Sequence, residues 1–145
     1  MKVLSIHQPW AFFIATGLKD CENRSWPTKH RGLLLIHASK AKPFDELEAT
    51  RIALFAGVEL AALRKALENT DAMRTGGIVG MVDLAGCVKD HGSPWAEQGA
   101  WHWVWNYSAP LPFTPLRGRQ GLFKHIPVDL PLKAALNSQQ VLMEA

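Results

Sequence analysis

The chain predicts an α+β fold, a partly closed β-barrel with two to three flanking helices. Three observations carry this. Short apolar runs bounded by turn residues recur along the chain, stretches with helical apolar spacing fall between them, and Gly80 and Gly86 interrupt the longest β-type run. Glycine inside a strand pattern marks the bends and close backbone approaches that barrels use.

Taken in order, Val3 to Ile6 reads as a short strand. Pro9 suits a first helical turn, Trp10 to Thr16 continue it, and Gly17 stops it. From Asp20 onward a strand would set Glu22, Arg24 and Trp26 on one face and Cys21, Asn23 and Ser25 on the other. Residues 27–32 are a turn, and Gly32 to Ala38 is a nearly continuous apolar run suited to a buried strand. Pro43 opens a helix on which Phe44, Leu47, Ala49, Ile52 and Phe55 recur at helical spacing, with Gly57 closing it. A second helix spans Val58 to Leu67, and residues 69–77 form a loop. Gly77 to Val88 is the longest strand, and a loop holding Trp95 runs from Asp90 to Gly99. His102 to Tyr107 alternates as a strand. Pro110, Pro112 and Pro115 are expected to break the chain beyond Tyr107. A last strand runs from Leu122 to Ile126, and the tail from Asp129 holds a short helix at Leu132 to Leu136.

Residues 1–145 read as one domain, large enough to bury a core without disulfide or metal. Hydrophobic residues make up 48% and mean hydropathy is −0.04, which excludes disordered and membrane-embedded classes. No apolar run reaches membrane-spanning length, so no membrane association is expected. The start, Met1 to Leu4, is quickly interrupted by His7, Gln8 and Pro9, unlike a secretory leader. Two cysteines, Cys21 and Cys87, with no paired spacing, suggest a reducing, cytoplasmic setting. The cysteines and histidines show no zinc-type spacing, so neither a metal nor another cofactor is expected. The phosphate-loop, dinucleotide and nucleophile-elbow motifs are absent, against those enzyme classes.

Net charge is +3, and it matters where it clusters: at Lys19, Arg24, Lys29 and Arg31, and again at Arg117, Arg119 and Lys124. Lys19, Glu22 and Arg24 form the densest constellation. Glu22 between two cations should stay ionised and can accept from an amide or base N–H, while the cations suit a phosphate or oxyanion. The same three charges would equally serve as a structural ion-pair network. Six tryptophans are dense for this length. Trp10 and Trp26 flank the cluster, and exposed indoles there would be stacking platforms for bases. Trp101, Trp103 and Trp105 ride the late strand, where core packing is the simpler role. The segment from Arg117 to Gly121 offers two cations on a loop, fit for a phosphate backbone or for a plain turn.

The run Gly17-x-Lys19-x-x-Glu22-x-Arg24, preceded by Ile6-His-Gln-Pro-Trp10 and followed by Trp26-Pro27-Thr28, resembles the ASCH domain family. The branch most similar contains the C-terminal domain of activating signal cointegrator 1. The resemblance extends to residues 76–84, 101–105 and 117–123. It implies a PUA-like barrel whose cleft is lined by the motif. The motif carries over Lys19, Glu22 and Arg24 as ligand-facing candidates, and the chain's own pattern adds His7, Trp10, Trp26, Thr28, Arg117 and Arg119. The partner expected is RNA, single-stranded nucleic acid, a nucleotide or a modified nucleoside. The family also contains small acetylcytidine amidohydrolases, which pair the motif lysine with a threonine three residues later and a distant glutamate. Here that position is Glu22, so the hydrolytic set is not intact. If the protein is an enzyme, an amidohydrolase or ribonuclease, Lys19 and Glu22 are the catalytic candidates. Ser25 or Thr28 would be hydroxyl alternatives, and His7 with Lys19 an acid–base pair. A protein-interaction adaptor is the third reading.

Overall fold

The computed structural model describes residues 1–125 and 130–144. Its strands are β1 (Lys2–Gln8), β2 (Cys21–Arg24), β3 (Gly32–Ala41), β4 (Gly77–Val88), β5 (Trp101–Pro115) and β6 (Leu122–Lys124). Its helices are α1 (Trp10–Ala15), α2 (Glu46–Ala56), α3 (Leu60–Glu68) and α4 (Leu130–Glu144), with a 3-10 turn at Thr70–Met73.

The six strands form one sheet in the order β2-β5-β4-β3-β1-β6. Neighbours are antiparallel except β1 and β3, which run parallel. The mixed α+β architecture is as expected, but the sheet does not close into a barrel: β2 and β6 are its two edges. Among the described residues the helices number four, against the two to three flanking helices expected.

Alternation explains why the central strands read as apolar throughout. Leu4, Ile6, Leu34, Ile36, Val82 and Leu84 turn to one face, where Ala11, Ile14 and Trp103 join them. Val3, Leu35, Ile78 and Met81 turn to the other, beneath Leu132 and Leu136 of α4. The Tyr107 hydroxyl also donates to Gln139 of α4. Phe13 carries α1 into a third cluster with Ile52 of α2 and Leu63 of α3. Asp45 caps α2 by accepting from the Glu48 N–H, and Gly57 ends it at φ +66°.

Three local expectations change. Strand β5 continues through Pro110 and Pro112 to Pro115. Only Trp101–Val104 pair with β2, so beyond them β5 is open on that side. A strand with one open side tolerates residues that lack an N–H. Strand β2 stops at Arg24, leaving Trp26 in a bend rather than on the strand. Helix α4 is longer than expected. The proposed strand end at Ile126 and the tail start at Asp129 lie outside the described residues.

Candidate functional site

Strand β6 pairs with β1 at Lys2–Leu4 and the Ser5 N–H bonds the Gly121 carbonyl, so the edge of β1 is uncovered beyond Ser5. The other edge of the sheet, β2, curls towards it. Arg24 spans the gap, its Nη2 donating to the Ser5 carbonyl at 2.7 Å. The space between the edges is a cleft of about 610 Å³. Ser5, Ile6 and His7 line it from β1, and Glu22, Asn23 and Arg24 from β2. Lys19, Ser25, Trp26, Trp10, Lys42 and Gln120 add to it from loops and helix ends.

Local structure fixes the charged motif. Gly17 adopts φ +84°, ending α1 and turning the chain so that the Lys19 N–H bonds the Phe13 carbonyl at 3.0 Å. Lys19 then enters the interior beside β2, 4% exposed, and Glu22 is 8% exposed. Lys19 Nζ donates to Glu22 Oε1 at 3.1 Å, and Arg24 Nη2 donates to Glu22 Oε2 at 3.0 Å. The Asn23 N–H also donates to Oε1. Burial by itself would push the Glu22 carboxyl up, but Lys19 and Arg24, by charge and by hydrogen bond, outweigh it and hold the group below its ordinary value. Among the described residues, Arg24 Nε is a buried polar atom without a hydrogen-bond partner. The carboxylate thus fixes two cations at the wall of an open cleft, where each retains N–H donors for an anion.

Trp26 is half-buried. It stands edge-on to Trp103, ring centres 4.9 Å apart and planes at 90°. Its carbonyl accepts from Trp103 Nε1 at 3.2 Å. A side chain at Gly121 would come within 3.5 Å of the indole, and Gly121 sits at φ +73°. Trp10 is half-buried too, edge-on to Phe44. Trp103 is fully enclosed, a core residue that supports Trp26 from beneath.

His7 is exposed at the cleft. Desolvation, then the charges of Lys42, Arg24 and Lys40, hold its pKa below the ordinary 6.5. A proton titration followed by NMR should therefore find His7 below 6.5, and Lys42→Ala should raise it by removing a neighbouring cation. A His7 value at or above 6.5 would show that the cleft lacks this positive field.

Of the anticipated residues, His7, Trp10, Lys19, Glu22, Arg24 and Trp26 meet around one cleft. Thr28, Arg117 and Arg119 are not among its lining. The Thr28 hydroxyl accepts from the His30 N–H in the following turn. Arg117 and Arg119 line a separate cavity with Leu116, Phe123 and His125. Two side chains of the sheet hold their loop: Ser5 Oγ donates to the Arg119 carbonyl at 2.8 Å, and His37 Nε2 donates to the Leu116 carbonyl at 2.6 Å. Gln120 and Gly121 are thereby set on the cleft side.

Sequence reasoning missed Lys42, Ser39, Asn23 and Glu97. Lys42 had a signal, since two cations at 40 and 42 follow an apolar strand. Asn23 had none. Its side chain donates to the Trp95 carbonyl and accepts from the Glu97 N–H, fastening a loop 70 residues away. That loop also leads from β4 back over β5 to the start of β2. There Asp20, Cys21 and His91 come together, their ligand atoms all within 4.8 Å of one another. Burial pushes the Cys21 thiol up to about 11.

Comparison with known proteins places these features in a family context. The ASCH domain model matches residues 4–117, which takes in every cleft residue except Gln120 and Gly121. Two curated relatives align over 90 residues, 59% of this chain: human activating signal cointegrator 1 at 40% identity and its mouse counterpart at 39%. The chain spans only 14% of the length of either relative.

Proposed function

This chain belongs to the ASCH domain family, and from that premise we propose that its cleft binds single-stranded nucleic acid, RNA foremost. The observation that carries the reading is the Lys19–Glu22–Arg24 array, two cations oriented by one buried carboxylate at the wall of a cleft that Trp10 and Trp26 border. Cations answer phosphate and indoles answer bases. Unpaired bases can reach such a platform, whereas bases inside a duplex are stacked away from it. Lys42 and His7 extend the same polarity along the cleft.

Binding fits the geometry better than hydrolysis does. Both Glu22 oxygens are engaged, and Lys19 is tied to one of them as a cation. Neither is placed as a free base. Little or no acetylcytidine turnover is expected.

The test is fluorescence anisotropy with a labelled single-stranded RNA, its duplex and a DNA of the same sequence. The single strand should bind best, with log affinity falling against log salt by about 0.7 per contacted phosphate. Trp26→Ala should weaken binding by about 1–3 kcal/mol, and Trp26→Phe should retain most of it because another π-face remains. Salt-independent binding, or a Trp26→Ala protein that binds as well as the parent, would overturn the proposal in favour of a neutral nucleoside or a protein partner.

A further inference from the structure

We propose that Asp20, Cys21 and His91 form a binding site for a thiophilic divalent cation of the zinc class, clamping the loop after β4 to the start of β2. The three side chains offer one carboxylate oxygen, one sulfur and one imidazole nitrogen, all within 4.8 Å of one another. On a tetrahedral ion with bonds of about 2.0–2.3 Å, neighbouring donors stand roughly 3.4 Å apart. A mixed sulfur, nitrogen and oxygen set selects zinc or cobalt over magnesium or calcium, which take oxygen ligands.

The surroundings hold the Asp20 carboxylate by a side-chain hydrogen bond, as outer partners hold ligands in metal sites, and hold His91 by its backbone. Ser93 Oγ donates to Asp20 Oδ1 at 2.5 Å, steadying the carboxylate. The His91 N–H donates to His102 Nδ1 at 3.2 Å, and His102 Nε2 donates to the Glu97 carbonyl at 2.7 Å, so the buried imidazole ties down both ends of the loop. Cys21 is fully buried at the first residue of β2, opposite Val104. Asp20 is exposed, which gives an ion access and leaves its fourth position to water. Spacing along the chain hides this site, because His91 arrives from 70 residues beyond Cys21.

The clamp matters because the same loop carries Trp95 and Glu97. These line a smaller cavity beside the cleft, and the two cavities share Trp10, Lys19, Asn23 and Glu97. A bound ion would fix that wall. On binding, the thiol proton leaves to solvent and sulfur coordinates as thiolate.

The full chain, stripped of metal and kept reduced, is titrated with cobalt(II) and then zinc(II). One equivalent of cobalt should produce tetrahedral visible bands and a thiolate-to-cobalt charge-transfer band, which zinc displaces. Zinc should also raise the thermal midpoint. Cys21→Ser should abolish the charge-transfer band. His91→Ala and Asp20→Asn should lower zinc affinity by at least about a hundredfold, the upper loss seen for outer-shell partners alone. Cys87→Ser, a cysteine outside the cluster, should change neither. Octahedral cobalt without the sulfur band, a band that survives Cys21→Ser, or a band lost with Cys87→Ser would each overturn the site.

Discussion

Glu22→Ala should destabilise the protein by about 3–5 kcal/mol, the usual consequence of leaving a buried charge without its partner. Lys19 is the charge at issue, 4% exposed and tied to Glu22 Oε1. Arg24 suffers less, since it is more exposed and keeps the Ser5 carbonyl. Urea unfolding at pH 7 measures the loss. Replacing both partners, Lys19→Met with Glu22→Leu, should cost far less than Glu22→Ala alone, because no uncompensated charge then remains. A single-variant loss below about 0.5 kcal/mol, as for surface changes, would show that the ion pair is solvated. The pH dependence has a definite sign. Glu22 has a folded pKa below its unfolded value of 4.5, so its stabilisation is fully present above pH 4.5. It is lost as pH falls through the folded value, and Glu22→Gln should remove that part of the acid transition.

Trp103→Ala should cost a similar amount, about 3–5 kcal/mol, through the cavity left by a fully enclosed indole. It should also weaken RNA binding beyond what stability explains. Trp103 supports Trp26 twice, by the edge-on ring contact and by the Nε1 hydrogen bond to the Trp26 carbonyl. Trp103→Phe retains a ring in the core but removes the N–H donor. It should recover most of the stability and only part of the affinity. Binding measured well below each variant's unfolding midpoint separates the two effects. Equal recovery of both would mean that Trp103 acts on Trp26 through packing alone.

These two variants also explain why the simplest test of the motif is the wrong one. Lys19 looks from its spacing like a ligand-facing cation whose removal would spare the fold. Its burial makes it part of the fold as well, so changes at Lys42, His7 and Trp26 report on the cleft more cleanly. The ion-pair network belongs to the fold and the proposed binding surface is built on it, so the two roles that the sequence leaves open are compatible.

Residues near one another in the chain carried what could be read without coordinates. The Lys19–Glu22–Arg24 spacing comes after a glycine that ends a helix, and a short strand with period 2 then necessarily returns Glu22 and Arg24 to one face. The apolar runs at Val3–Ile6, Gly32–Ala38 and Gly77–Val88 located the central strands, because a strand buried on both faces has few polar positions. Four matters needed the tertiary structure. Whether the sheet closes depends on pairing between β2 and β6, edges separated by about a hundred residues. Where the prolines of β5 sit, beyond the stretch that pairs with β2, depends on how short β2 is. Arg117 and Arg119 leave the cleft because Ser5 and His37 hold the backbone of their loop, a contact no local pattern encodes. Asp20, Cys21 and His91 meet because the loop after β4 folds back across β5. Local periodicity decides which way a side chain points from its own strand; only long-range packing decides what it finds there.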